Sequence, residues 1–286
     1  MKITVIIPTF NEEKHIGECL SALVNGTRKP DQILVADGYS EDRTRKIAKS
    51  FPGVWVVRNP ERTAAAGRNA ALAVAVGDVV AFTDGDCIPA KDWVEQIERA
   101  FTEREIDGMG GRVLNAPFEN DYERYWGTLA WTLLMNFPDE PYVVEKQTLN
   151  DAFVTANCAY RKELLDRLGG FDLWFANNAE DVDLSWRALR AGARLMYIPD
   201  AVIYAHNVTT LKGIRKKSFR NGVSSSKLQK RYGGLLNYDV NIYKMLVANL
   251  KAIGKGNPDT KLNLNELTWH LLGKYYGSIR HGVINI

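Results

Sequence analysis

A chain of 286 residues, 25% charged and 45% hydrophobic, is long enough for one large α/β domain or a domain with an appended subdomain. That composition excludes disulfide-stapled, fibrous and disordered classes, and a formal net charge of +3 does not by itself point to nucleic acid. Cys19, Cys87 and Cys158 are far apart and lack metal-ligand spacing, which predicts reduced thiols, a cytosolic setting and no zinc site.

Ile3 to Ile7 reads as a buried strand directly after the N-terminus, too short for a signal sequence and broken by Pro8. The pattern then predicts a helix over 13–24, a strand over 32–36, a helix over 41–50, a strand over 54–57, a helix over 64–76 and a strand over 79–82. Strands alternating with helices of this length predict a largely parallel sheet covered on both faces, with ligands at the carboxyl ends of its strands. Beyond residue 90 the expected elements are a helix over 93–101, a strand over 108–113, an aromatic helical stretch over 122–137 and a strand over 152–160. Helices over 162–168 and 181–191 follow, then two strands over 195–198 and 201–204 separated by a Pro199-Asp200 turn. The remainder reads as helical with a break at Gly254-Lys255-Gly256-Asn257-Pro258. This divides the chain into 1–89 and 90–210, two halves of one domain, and a basic, helical extension over 211–286. No run approaches about eighteen apolar residues, so no membrane span is expected, while surface attachment stays open.

Three polar clusters fall at predicted strand ends: Thr9-Phe10-Asn11, Asp37-Gly38-Tyr39-Ser40 and Asp84-Gly85-Asp86. The first turn lacks the glycines of a nicotinamide-dinucleotide site, and no Walker sequence occurs. Asp84 and Asp86 on a tight turn can share Mg2+ or Mn2+, whose other ligands come from phosphates and water; an exposed turn also favours these residues. Glu180-Asp181-x-Asp183 opens a helix, where acids complement the dipole. The functional alternative gives Asp181 the proton of an attacking acceptor hydroxyl, Glu180 the positioning of that acceptor, and Asp183 a structural part. His206, at a strand end, is either a satisfied polar residue or a further metal ligand.

Arg68 can fork onto phosphate or pair with Asp37, which can instead accept from a nucleobase or ribose. Lys212, Arg215, Lys216, Lys217, Arg220, Lys227, Lys230 and Arg231 occur with no acid among them. Arg215, Lys216 and Arg220 are candidates for a diphosphate, with a solvated face or an anionic lipid surface as alternatives. Tyr122, Tyr125, Trp126, Leu129, Leu133 and Phe137 form an apolar stripe that is either core or an acceptor groove, with Trp126 and Trp131 able to meet a sugar or a headgroup.

The motifs Val5-Ile6-Ile7-Pro8-Thr9-Phe10-Asn11-Glu12, Val35-Ala36-Asp37-Gly38-Tyr39-Ser40 and Gly67-Arg68-Asn69-Ala70-Ala71-Leu72 resemble those of inverting family-2 glycosyltransferases with the GT-A fold. So do Phe82-Thr83-Asp84-Gly85-Asp86, Gly169-Gly170-Phe171-Asp172 and Glu180-Asp181-Val182-Asp183-Leu184-Ser185-Trp186-Arg187. The likeness covers residues 1–210 and implies a GT-A-like, mostly parallel sheet flanked by helices, with a helical C-terminal extension. It further implies single displacement on a UDP- or GDP-linked sugar, with Pro8, Thr9, Asn11, Asp37 and Arg68 at the nucleotide, and Asp84, Gly85 and Asp86 at the diphosphate and metal. Asp181 would be the base, His206 resembles a late histidine that completes the metal or phosphate site in some members, and the basic segment resembles a loop that closes on the donor. Many relatives carry two acids after the second strand where this chain has Ala36-Asp37, and no apolar C-terminal segment suggests processive export. The resemblance implies a saccharide, a lipid-linked carrier or a small metabolite as acceptor and a cytoplasmic enzyme, with the aromatic stripe and the basic run favouring an acceptor at the membrane face. A nucleotidyltransferase, which would need a glycine- and lysine-containing triphosphate loop, and a non-catalytic carbohydrate-binding protein are the competing classes.

Overall fold

The computed structural model describes residues 1–130, 137–176, 178–233 and 259–283. The chain forms two compact units, one of Met1–Pro117 with Leu134–His206 and one of Phe118–Leu133 with Asn207–Ile286. In chain order the first part carries β1 (Ile3–Thr9), α1 (Ile16–Val24), β2 (Gln32–Asp37), α2 (Thr44–Ser50), β3 (Val54–Arg58), α3 (Ala64–Leu72) and β4 (Val79–Phe82). Next come β5 (Cys87–Pro89), α4 (Trp93–Glu103), β6 (Gly108–Asn115), α5 (Asp121–Gly127), β7 (Tyr142–Val144) and β8 (Cys158–Arg161). The chain closes with α6 (Lys162–Leu168), α7 (Glu180–Arg190), β9 (Leu195–Ala205), α8 (Leu211–Tyr232) and α9 (Asp259–His281).

The first unit is built on a nine-stranded sheet of order β3-β2-β1-β4-β8-β6-β9-β5, with β7 paired to β9. Strands β1 to β4 pair in parallel, β8 runs antiparallel to β4 and β6, and β6 is parallel to β9. The β-branched run Ile3, Val5, Ile6 and Ile7 is wholly buried, as a central strand covered on both faces requires. Leu34, Ala36, Val80, Phe82, Ala71, Leu72, Phe171 and Leu184 continue that core.

Several boundaries differ from the sequence expectation for identifiable reasons. Helix α1 begins at Ile16 because the N–H groups of Glu12 and Glu13 are engaged by Thr44 Oγ1 at 2.8 Å and Asp42 Oδ2 at 3.1 Å, which ties this segment to the loop before α2. Pro199-Asp200 interrupts no strand: β9 runs through it, and the register against β6 jumps from Gly111↔Ile198 to Arg112↔Val202. The Asn157 amide donates to Ala201 O and Arg112 O, both at 2.8 Å, satisfying carbonyls at this irregularity. The strand expected over 152–160 is only Cys158–Arg161, since Phe153 N–H donates to Ser185 Oγ rather than to a ladder. The break expected at residues 254–258 lies outside the described residues.

In the second unit, α8 packs on α9 with backbones nearly in contact: a Cβ on Gly222 would lie 2.0 Å from His270 O, and one on Gly273 2.0 Å from Phe219 O. Asn120 caps α5 by accepting from Tyr122 and Glu123 N–H, and Tyr125 Oη donates to Asn263 Oδ1 at 2.8 Å. Tyr125, Trp126 and Leu129 are buried, so these members of the apolar stripe are core and not a groove; Trp131 and Leu133 lie outside the described residues. Among the described residues no helix is long and apolar enough to cross a membrane.

Candidate active site

Loops at the carboxyl ends of β1, β2 and β3 hold non-glycine residues at positive φ: Asn11 at 56°, Tyr39 at 62° and Arg62 at 54°. Each costs on the order of 1 kcal/mol, and such strain collects where loops are held in a functional shape. The loops brace one another. Asn11 N–H donates to Ser40 Oγ and Glu41 N–H to Asn11 Oδ1, both at 2.9 Å, and Gly38 N–H donates to Thr9 O at 2.9 Å. Pro8 and Thr9 lie in register with Ala36 and Asp37, so Thr9 and Asp37 end adjacent strands.

Asp37 is 3% exposed and accepts Ser40 N–H on both oxygens, at 3.3 and 3.2 Å. The cation facing it is Arg45, 3.5 Å away, and not Arg68 as the sequence allowed. Arg68 points elsewhere because α3 lays it into the core. Its guanidinium is 2% exposed and spans Glu180 Oε1 at 2.7 Å and Asp84 Oδ1 at 2.8 Å, with the ring of Phe171 at 5.5 Å. Burial opposes the charge of Arg68, yet Asp84, Glu180 and Asp181 together outweigh it and hold the group above its ordinary value. A guanidinium so enclosed is a strut between two carboxylates and is not free to fork onto a phosphate.

Asp84-Gly85-Asp86 links β4 to β5, and both acids keep partial exposure. Gly85 admits no side chain without crowding: a Cβ would lie 3.1 Å from Thr9 Cγ2 and 3.3 Å from Glu12 Cγ. The thiols of Cys19 and Cys87 donate to Asp84 O and Asp86 Oδ1, both at 3.6 Å, and burial pushes both thiols up so that they stay protonated. Glu12, from the loop between β1 and α1, lies against this turn. Burial, then the charges of Asp86, Asp84 and Asp42, push its carboxyl up to about 8. Oxygen donors in so negative a field are of the kind that fits a hard divalent cation, which Asp84 and Asp86 would be the residues to hold. Glu12 was not among the residues singled out from sequence, although it closes the Asn11-Glu12 motif.

Helix α7 delivers Glu180 and Asp181 from a bend in which Ala176 and Ala179 have φ of 57° and 66°. Burial pushes Glu180 up to about 7 against the lowering effect of Arg68, with Asp181 adding to the rise. Burial also raises Asp181, against the Val182 N–H that its Oδ1 accepts at 2.8 Å. Asp183 is fully buried and paired with Arg187 at 2.7 Å, and Arg187 donates to Leu168 O and Gly170 O, which fits the structural part expected for Asp183. Asp84, Glu180 and Asp181, distant in sequence, thus converge on Arg68.

His206 follows β9 and donates its N–H to Asp86 O at 2.9 Å. Its ring stacks on His15 with centroids 4.1 Å apart, and its Nε2 lies 3.4 Å from Glu18 Oε2. Arg215, Lys216 and Arg220 lie on α8 in the second unit; Arg215 donates to Asn265 Oδ1 at 3.0 Å, and Lys216 and Arg220 are exposed.

A largely parallel α/β sheet whose strand ends gather an acidic turn and a helix-borne carboxylate pair is the GT-A architecture of glycosyltransferases. The profile of glycosyl transferase family 2 matches residues 4–169, and the chain belongs to that family. It is 28% identical over 229 residues to the glycosyltransferase AglE of Haloferax volcanii, covering 77% of this chain and 71% of that protein. It is 30% identical over 234 residues to the pre-mycofactocin glycosyltransferase of Mycobacterium tuberculosis, covering 80% of this chain but only 48% of that one, about half its length. The mannosyltransferase PcManGT of Pyrobaculum calidifontis, solved with GDP-Man and Mn2+, aligns at a TM-score of 0.60 and 21% identity over 100% of this chain and 76% of its own. The chain is accordingly an enzyme of the glycosyltransferase class.

Proposed function

We propose that the chain carries out metal-dependent, inverting transfer of a sugar from a UDP- or GDP-linked donor to the hydroxyl of a saccharide or lipid-linked acceptor. The observation that carries this reading is the Arg68 bridge, which ties the acidic turn of Asp84 to the helix end that bears Glu180 and Asp181. Asp84 and Asp86 would hold a divalent cation, Mg2+ or Mn2+, which would supply positive charge for the departing nucleoside diphosphate. That the neighbour PcManGT was solved with GDP-Man and Mn2+ supports this general kind of donor and cation. Thr9, Asn11 and Asp37 line the strand ends where the nucleoside would lie, and Asp181 takes the acceptor proton. A carboxyl raised by burial is the better base for a hydroxyl.

Asp181→Asn is expected to lower transfer by about 10²- to 10⁴-fold while calorimetry shows donor affinity nearly unchanged. Asp84→Asn with Asp86→Asn should abolish the gain in donor affinity that Mn2+ brings. Full transfer by Asp181→Asn would reject the assignment of the base.

Attachment to an anionic membrane surface finds its support on α9. Leu272, Tyr275, Tyr276 and Ile279 recur at helical spacing and are 48%, 69%, 46% and 69% exposed, an apolar ridge with tyrosines of the kind that enters the headgroup zone. Lys230 Nζ donates to His281 O at the end of that helix and Arg280 donates to Tyr276 Oη, so cations flank the ridge. Vesicles containing phosphatidylserine should co-sediment the protein, and Tyr275→Ser with Ile279→Ser should release it. Equal sedimentation of both proteins, or none of either, would remove this surface from the account.

A further inference from the structure

A cleft in the first unit takes no part in any step described above. It lies over one row of the sheet, in which the register sets Phe82 beside Cys158, Cys158 beside Gly110, Gly110 beside Tyr197 and Tyr197 beside Tyr142. Residues paired in this way present their side chains to one face. Gly110 has none to present: a Cβ there would lie 2.4 Å from Phe153 Cδ1, so Phe153 occupies the middle of the row and forms one wall. The two tyrosines form another, with their rings 5.2 Å apart, and Phe137 stacks on Tyr197 at 6.0 Å. The void is about 320 Å3 with its open mouth included. Arg112 and the Tyr197 hydroxyl both donate to Pro138 O, at 2.8 and 3.1 Å, and so hold the segment that carries Phe137.

Asn150 and Asp151 stand beside these rings. Asp151 accepts from the Tyr142 hydroxyl at 3.4 Å and from Thr148 Oγ1, and its two oxygens keep lone pairs for further donors. Aromatic faces next to a carboxylate and an amide match one class of ligand, a neutral sugar ring, whose C–H face lies on an aromatic ring while its hydroxyls donate and accept at the edge. A hydrocarbon chain would strip water from Asp151 with nothing in return, and an anionic metabolite would meet its charge. The position also suits the reaction. Val154 lines the cleft, and the next residue, Thr155, gives its backbone N–H to the Asp181 carboxylate. Phe153 N–H donates to Ser185 Oγ at 3.0 Å, on the same helix as Asp181. Across two strand spacings of about 4.8 Å, Gly110 stands roughly 10 Å from Phe82, which leads into the acidic turn.

We propose that this cleft seats a neutral sugar residue of the acceptor, with Tyr142 and Phe137 against the ring and Asp151 and Asn150 on its hydroxyls. The acceptor is then a saccharide or a carrier that already bears a sugar, and not a bare lipid or an anionic metabolite. The acceptor role rests on the transfer reading given above; the capacity of the cleft to bind a sugar does not.

The test is saturation-transfer NMR of the full chain with the methyl pyranosides of glucose, galactose, mannose, rhamnose and N-acetylglucosamine, beside calorimetry with UDP and GDP in the presence of Mn2+. At least one glycoside is expected to bind wild type. Tyr142→Ala should weaken it roughly three- to tenfold and Asp151→Asn about tenfold, while Tyr142→Phe, which keeps the ring, retains most of the affinity. Melting temperatures matching wild type verify that Tyr142→Phe and Asp151→Asn fold, and nucleotide affinity should be the same in all four proteins. With Mn2+ and nucleotide bound, the resonances of the seated glycoside should broaden, because the cleft lies about 10 Å from the acidic turn. No glycoside binding to wild type, or undiminished binding in Asp151→Asn and Tyr142→Ala, would overturn the sugar site. Sharp glycoside resonances while calorimetry records bound Mn2+ would overturn its acceptor role. Failure of both nucleotides to bind wild type would instead defeat the transfer reading, and the acceptor role with it, while the sugar site stood.

Discussion

A guanidinium shared between two carboxylates inside a protein is held there by charge, and its removal strands whichever partner water cannot reach. The side chain of Asp84 is 36% exposed and can be rehydrated, but that of Glu180 is 6% exposed. Arg68→Met is therefore expected to destabilise the fold by about 3–5 kcal/mol, through Glu180. The pH dependence follows from the sign of the shift. Glu180 has its folded value raised from 4.5 to about 7 even with Arg68 present, and losing Arg68 raises it further. Below about 4.5 the carboxyl is protonated in both folded and unfolded chains, so the two proteins differ least there; above about 7 they differ most. Urea denaturation at the two ends of that range measures it, and an equal loss at both ends would mean that packing rather than charge makes Arg68 important.

At the scale of elements, the alternation of strands and helices through residue 82 was readable because each run is long enough to show its period, and β4 matches its expected bounds of 79–82. The pieces that escaped are short or tertiary in origin: β5 and β7 have three residues each, and the unbroken β9 depends on the Asn157 amide beside its irregularity. In the site, the acids were visible as motifs at strand ends, but the partner of Arg68 was not, because pairing across 112 residues leaves no local pattern. The proximity of His15 to His206 was hidden for the same reason.

One such long-range tie can be broken selectively. Asn69, next to Arg68 on α3, accepts Phe171 N–H on Oδ1 and donates Nδ2 to Phe171 O, both at 2.8 Å, anchoring the loop that leads to α7. Gly170 sits beside it at a φ of 69°, and a Cβ there would lie 2.5 Å from that same Oδ1. Gly170→Ala should thus cost about 1–3 kcal/mol and lower transfer by displacing the carboxylates of α7. Thermal unfolding and a transfer assay below the melting temperature separate the two effects; full activity in a destabilised variant would show that the loop does not position α7.

Over the whole molecule, stability should depend on pH through a carboxyl remote in sequence from every proposed catalytic residue. Glu266 on α9 is 4% exposed, and burial alone pushes it up to about 7 from 4.5. Its folded value lies above its unfolded one, so the folded chain binds the extra proton; that contribution is complete below about 4.5 and is lost as pH rises through about 7. Glu180 carries a shift of the same sign, so the slope of the wild-type stability curve contains both groups, and only a difference between two proteins isolates one. Glu266→Gln keeps the shape of the side chain and cannot ionise. It should match wild type at acid pH and exceed it by up to roughly 3 kcal/mol above neutrality. Thermal unfolding of the pair across that range decides the matter, since parallel curves would mean that Glu266 finds enough water or hydrogen bonding in the folded chain to ionise at its ordinary pH.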